Sequence, residues 1–91
     1  MELYEIKNGL DKAHLLIDEY KKSAHIDEKL REIEGLSYQT MQDGFWDDTN
    51  KAKKIYDELN DMKKITDEYE SLCQSLNSLD ETYSLVKETD D

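Results

Sequence analysis

The chain has 91 residues, of which 38% are charged and 36% hydrophobic, with three glycines and no proline. That length suits one small domain, and the composition favours long helices joined by short corners over a sheet. A net charge of −11 argues against generic nucleic-acid binding, DNA included, and against an anionic membrane surface. The single cysteine excludes an internal disulfide. With no signal peptide or membrane-length apolar run, a soluble cytoplasmic protein is expected.

A heptad-like pattern from Trp46 to Glu88 dominates the chain. Its apolar or near-apolar residues recur mostly at steps of three and four, which places them on one seam of a helix. They are Ala52, Ile55, Leu59, Met62, Thr66, Tyr69, Cys73, Leu76, Leu79, Tyr83 and Val86. No glycine or proline interrupts the run. The pattern predicts a helix over residues 48–88, about 60 Å long at roughly 1.5 Å per residue.

Two shorter helices are predicted before it. The first covers residues 2–22, where Leu3, Ile6, Leu10, Ala13, Ile17 and Tyr20 share one stripe, and the second covers residues 26–42. Gly9 is expected to be a soft spot or a site of close helix contact, and Gly35 a second soft spot. The predicted fold is all-α, with residues 1–91 forming a single helical domain. Its architecture is an antiparallel three-helix hairpin or bundle with one long C-terminal coiled-coil-like helix.

The corner before the long helix is the most distinctive local signal. Gly44 is expected to stop the second helix, because glycine takes the left-handed conformation readily. Asp47 is the predicted N-cap of the long helix. Phe45 and Trp46 lie between them and are expected to plug the open end of the bundle. Phe45, Trp46 and Asp47 are therefore assigned a structural role at this corner.

The predicted helix lengths do not match. The first two helices would span about 31 Å and 25 Å, enough to cover the first half of the long helix. Beyond Tyr69 the apolar seam would have nothing in this chain to pack on. The helix could fold back near residues 66–70, meet another copy, or be covered by sequence that continues in the natural protein. The predicted partner contacts are Leu72, Leu76, Leu79, Tyr83 and Val86.

Sites for chemistry are weak throughout. Cys73 falls on the seam and is interpreted as a buried structural thiol. His14 and Asp18 share a helical face, but one such pair does not make a metal site. Residues 47–58 imitate the ends of a calcium loop, yet Ala52 occupies the position that requires glycine. There is no phosphate-binding glycine loop and no nucleophile elbow. We therefore predict no catalytic residue, no metal and no cofactor, and hence no enzyme.

Three lysines near the start of the long helix stand out on this acidic chain. Lys51, Lys53 and Lys54 lie where positive charge opposes the helix dipole. One interpretation is ion pairing, for example of Lys54 with Glu58 at i+4. The other is a small basic contact patch at the corner, for which all three lysines are candidates.

The corner residues also carry a resemblance. Asp43-Gly44-Phe45-Trp46-Asp47-Asp48, followed by Lys51-Ala52-Lys53, resembles the N-terminal helical domain of bacterial peptide chain release factor 2, a class I release factor. The opening Met1-Glu2-Leu3-Tyr4-Glu5-Ile6 and the end, Leu79 to Asp91, are similar to that domain in low-GC Gram-positive bacteria. The resemblance covers nearly the whole chain, and the Phe-Trp-Asp corner is its specific point.

The resemblance implies an N-terminal fragment of a longer translation termination factor. The Gly-Gly-Gln loop that triggers peptidyl-tRNA hydrolysis in the family is absent from this chain. In the family this domain reaches the stalk base of the large ribosomal subunit and is implicated in contact with release factor 3. The expected role is ribosome docking without chemistry. The alternative, of a different class, is a free-standing coiled-coil adaptor or oligomerisation module that self-associates through residues 72–86.

Overall fold

The computed structural model describes residues 2–89 and contains three α-helices in them. They are α1 (Leu3–Ser23), α2 (Ile26–Thr40) and α3 (Thr49–Thr89), and a short 3-10 turn, Phe45–Asp47, precedes α3. The all-α class with one long C-terminal helix is confirmed. The start of α2 at Ile26 is as predicted, and the other helix ends differ from the predicted ends by one or two residues. Met1, Asp90 and Asp91, which belong to the termini cited for the resemblance, lie outside the described residues.

The long helix α3 is continuous over its 41 residues. The fold-back considered for residues 66–70 does not occur. Two compact units share this helix: one comprises His25–Glu68, and the other comprises the residues up to Ala24 together with those from Tyr69 onward. We call the first the corner unit and the second the hairpin unit.

In the corner unit, α2 runs antiparallel to the first part of α3. Gln39, near the end of α2, lines the same groove as Ile55, whereas Glu32, earlier in α2, lines a groove with Met62. The buried residues of this unit are Ile26, Ala52, Leu59 and Thr66. The Thr66 hydroxyl donates a hydrogen bond to the Lys63 carbonyl oxygen over 3.2 Å, so that its burial leaves no unmet donor.

In the hairpin unit, α1 runs antiparallel to the last part of α3. The rings of Tyr20 and Tyr69 lie 6.4 Å apart, and His14 Nε2 lies 2.7 Å from Asp80 Oδ2. The prediction that this part of α3 has nothing in the chain to pack on is therefore wrong. The prediction placed both short helices on the same half of α3. Instead, α1 covers the last part of α3 and α2 covers the first part. This arrangement buries more of the apolar stripe of α3 and of the stripes of the short helices.

The seam of the hairpin unit departs from the predicted residue set at two positions. The α3 side chains turned towards α1 are Tyr69, Cys73, Leu76, Asp80 and Tyr83, of which Leu76 is buried and the others are half-buried. Leu79 and Val86 were predicted on this seam but are 56% and 45% exposed. Alternation of three and four residues along the whole helix places Asp80 on the seam. The apolar character of Leu79 led the prediction to the neighbouring position.

Candidate interaction site

The corner before α3 brings three aromatic rings together. The rings of Trp46 and Phe45 meet edge to face, with their centroids 5.1 Å apart. The centroids of the Trp46 and Tyr56 rings are 5.3 Å apart, and their planes are inclined by 37°. Such pairs stabilise each other by about 0.5–1.5 kcal/mol beyond the area they bury. Trp46 nevertheless remains 57% exposed. The prediction that it plugs the end of a bundle is wrong, because its ring lies on Tyr56 at the surface and not in a core.

The backbone of the corner is fixed by Gly44 and by the cap of α3. Gly44 has a φ of 81°, a left-handed conformation that glycine adopts at little cost. The prediction that it stops α2 is wrong, because α2 ends at Thr40 and Gly44 instead caps the start of the 3-10 turn. Asp48 Oδ1 accepts a hydrogen bond from the Lys51 backbone N–H over 3.1 Å. Asp48 is thus the N-cap, one residue after the predicted Asp47. Asp47 belongs to the 3-10 turn, where its N–H donates a hydrogen bond to the Gly44 carbonyl oxygen. As a result, α3 begins one residue later than predicted.

The three lysines of the corner point into solvent. Lys51, Lys53 and Lys54 are exposed. Over residues 2–89, the ion pairs of the structure do not include their ammonium groups, so the pairing considered for Lys54 and Glu58 is not formed. Tyr56 lies one helical turn after Lys53 and was not predicted as part of the site. Its i+3 spacing from Lys53 is the sequence signal that could have found it.

We call Phe45, Trp46, Tyr56 and the lysines at 51, 53 and 54 the corner surface. It combines exposed aromatic area with unpaired positive charge on a chain whose net charge is −11. Aromatic side chains that keep one face in water are typical of interaction sites, where they bury a large area at little entropic cost. The arrangement is suited to binding a macromolecule.

The other predicted partner contacts divide into two sets. Leu76 is 6% exposed and Tyr83 is half-buried, because both face α1. Leu72, Leu79 and Val86 are 49%, 56% and 45% exposed. These three recur every seven residues and therefore share one edge of α3. Leu72, Leu79 and Val86 are therefore accessible to a partner, whereas Leu76 is part of the core.

The described residues offer little else for chemistry. Residues 2–89 contain no group of three His, Cys, Asp or Glu side chains placed to hold a metal ion. His14 pairs with Asp80 on the facing helix, and Cys73 is a free, half-buried thiol. Among the helices of residues 2–89, none combines the length and the apolar character needed to cross a membrane.

Long helices with an exposed aromatic and basic corner and a leucine-bearing edge define a helical interaction module. Over all 91 residues, the chain is 32% identical to peptide chain release factor 2 of Exiguobacterium sp., of which it covers 25%. It is 31% identical over 88 residues, 97% of the chain, to peptide chain release factor 2 of Staphylococcus aureus (strain COL), of which it covers 24%. The corresponding protein of Staphylococcus saprophyticus is 30% identical over 91 residues, with 24% of it covered.

The resemblance to bacterial release factor 2 is thereby confirmed along the whole chain. The chain spans about a quarter of the length of these relatives. No family model and no solved structure matches it.

Proposed function

We propose that this chain is the ribosome-docking, N-terminal domain of a translation termination factor. The observation that carries the proposal is the similarity of the entire chain to a quarter of peptide chain release factor 2. An all-helical architecture with interaction surfaces and no metal-binding group among residues 2–89 supports a docking role. The proposed place of action is the cytoplasm, where ribosomes translate.

The proposed role is positioning, with the hydrolysis of peptidyl-tRNA left to other parts of the longer protein. The proposed partners are the stalk base of the large ribosomal subunit and release factor 3. The corner surface is the proposed contact with the ribosome, because Trp46 and Tyr56 are exposed and Lys53, three residues before Tyr56, is exposed on the same side of α3. Lys53 would meet a negatively charged partner there, with Lys51 and Lys54 on the neighbouring sides of the same helix end.

A chimaera tests this proposal without knowledge of the rest of the natural protein. In release factor 2 of Staphylococcus aureus, the segment that matches this chain is replaced by residues 1–91, and a second variant lacks the segment. We expect the chimaera to bind ribosomes and release peptide at rates close to those of the parent protein. The deletion should weaken ribosome binding or recycling, measured by pelleting with ribosomes and by multiple-turnover peptide release.

Two controls accompany the chimaera. The isolated 91-residue chain should release no peptide from ribosomes that display a stop codon. Within the chimaera, Trp46→Ala combined with Lys53→Ala should reduce binding, whereas Leu15→Gln on α1 should not. Full termination and recycling by the deletion variant would show that the segment has no docking role.

A second candidate function is favoured by one observation, the exposed heptad edge of Leu72, Leu79 and Val86. Such an edge is also typical of a coiled-coil adaptor that self-associates. Sedimentation equilibrium of the chain distinguishes the two. A dimer that Leu79→Gln dissociates favours the adaptor, and a monomer at high concentration counts against it.

A further inference from the structure

A stripe of uncharged side chains runs along the last part of α3, beside the seam that packs on α1. All of its members are exposed and recur at steps of three and four: Leu72, Ser75, Leu79, Thr82 and Val86. Its first four members each precede a seam residue by one position. Because a helix has about 3.6 residues per turn, the stripe is rotated by about 100° from the seam. We call it the outer stripe.

The composition of this segment differs from that of the rest of the chain. From Ser71 to Val86, only Asp80 and Glu81 are charged, two of sixteen residues, whereas 38% of the whole chain is charged. Both carboxylates lie outside the outer stripe. An exposed helix face without charge, on a chain so rich in charge, is unlike an ordinary solvated face.

Thr82, a polar member of the outer stripe, tolerates burial. Its Oγ1 donates a hydrogen bond to the Ser78 carbonyl oxygen over 3.0 Å. Thr89, the next position of the same series beyond the stripe, donates from Oγ1 to the Val86 carbonyl oxygen over 3.0 Å. Since these hydroxyl protons are bonded within the helix, removing water from around the two threonines leaves neither donor unpaired.

The neighbouring helix extends this apolar surface. Leu16 on α1 is 64% exposed and precedes the seam residue Ile17 by one position. Because α1 and α3 are antiparallel here, residues displaced in the same direction from their two seams lie on the same side of the helix pair. Leu16 therefore borders the outer stripe. A surface formed by two helices in this way fits a third helix packed against both.

The charge beside this surface is predominantly negative. On α1, four exposed charged residues share the face of Leu16, each one position before a seam residue: Glu2, Glu5, Lys12 and Glu19. Three carboxylates thus accompany one ammonium group. A partner with positive charge along the flank that faces α1 would complement this acidic rim, whereas a partner with acidic flanks would be repelled.

We propose that the outer stripe and Leu16 bind an amphipathic α-helix whose apolar residues recur at steps of three and four and whose flanks carry lysine or arginine. The uncharged stripe supplies the apolar contact, and the acidic rim favours a partner whose flanks are positively charged. A second copy of this chain is disfavoured as the occupant, because it would bring one acidic rim against another. This surface is separate from the corner surface of the proposed docking function.

The test uses the full chain and two synthetic helical peptides. Both peptides carry leucine at the a and d positions of three heptads; one has lysine at the flanking positions and the other has glutamate. Binding is measured by fluorescence anisotropy of the labelled peptides. We expect the chain to bind the lysine peptide and not the glutamate peptide. Leu79→Gln should weaken binding by about tenfold or more, since it removes apolar area that the contact would bury and places a polar amide there instead.

Matched variants separate the outer stripe from general attraction. Leu15→Gln removes a leucine of similar exposure that lies off this surface, and it should leave the affinity within about twofold. Glu5→Lys with Glu19→Lys should weaken binding of the lysine peptide and permit binding of the glutamate peptide. Equal affinity of the wild-type chain and Leu79→Gln would overturn the proposal, as would equal binding of the two peptides. A dimer in sedimentation equilibrium that Leu79→Gln dissociates would also overturn it, by identifying a second copy as the occupant.

Discussion

At the scale of single residues, two glycines of this chain have opposite roles. Gly44 requires a positive φ of 81°, and a Cβ there would lie 3.2 Å from Asp47 Oδ2. Gly35 lies within α2, where a Cβ would have no atom within 4 Å. A Cβ at Gly9 would likewise have no atom within 4 Å, so the close helix contact considered for Gly9 is not formed. Only Gly44 is needed for its backbone conformation.

We predict that Gly44→Ala lowers the free energy of unfolding by about 1–2 kcal/mol, because alanine is strained in the left-handed region. Gly35→Ala should raise it by about 0.5–1 kcal/mol, because alanine restricts the unfolded chain and fits the helix. Urea unfolding followed by circular dichroism measures both changes. A destabilising Gly35→Ala would contradict the open space seen at that position.

The N-cap of α3 gives a second prediction at this scale. Asp48→Ala removes the acceptor of the Lys51 N–H and should lower the free energy of unfolding by about 1 kcal/mol. Asp47→Ala is the matched control, because its carboxylate does not cap the helix, and it should have less than half that effect. Equal effects of the two substitutions in urea unfolding would contradict the assignment of Asp48 as the N-cap and favour Asp47, the residue predicted from the sequence.

At the scale of the helices, the hairpin unit contains an ionisable pair across the contact between α1 and α3. Asp80 occupies a seam position of α3, and its carboxylate meets His14 of α1 at 2.7 Å. A polar residue at a seam position generally specifies register at the expense of stability. The pair is possible only when these two residues are opposite each other, so it fixes the register of α1 against α3.

We predict that Asp80→Leu raises the free energy of unfolding by about 1 kcal/mol, because the gain from apolar burial exceeds the loss of a partly exposed hydrogen bond. The variant should also lose register specificity. Cysteine crosslinking between α1 and α3 would detect this as additional crosslinked pairs displaced by one heptad. His14→Ala is the control that removes the pair without adding apolar area, and it should not raise stability.

The helices were predictable because periodicity and glycine placement determine them locally. The alternation of three and four residues indicated α3, and Gly44 indicated the corner between α2 and α3, although α2 itself ends at Thr40. The pairing of the helices was not predictable in this way. A stripe such as Leu3 to Tyr20 shows that a helix needs a partner, but it does not say which half of α3 supplies it. The same limit explains why Leu79 was predicted on the seam in place of Asp80. A shift of one position along the helix changes which of the two residues faces α1.

The candidate site was predictable only in part. Phe45 and Trp46 were identified from their position in a corner. Their exposure, however, depends on Tyr56, which lies ten residues after Trp46 and packs against the Trp46 ring. The leucines of the far half of α3 were found as a single group. Their division into core and surface depends on α1, whose location the sequence pattern alone does not determine.

At the scale of the whole molecule, net charge is the dominant physical term. The charge is −11, so like-charge repulsion opposes the folded chain more than the unfolded one. We predict that raising sodium chloride from about 0.02 M to 0.5 M increases the melting temperature by several degrees, since the Debye length falls well below 10 Å. Differential scanning calorimetry measures this. A constant or falling melting temperature would show that attractive charge pairs, not repulsion, dominate.

Cys73 has a practical consequence for studies of motion in this molecule. It is the sole cysteine of the chain and lies half-buried on the seam between α1 and α3. A thiol reagent reaches its sulfur fully only when α1 separates from α3. The rate of alkylation therefore follows the opening of that helix pair, and the wild-type chain carries its own chemical reporter of local unfolding.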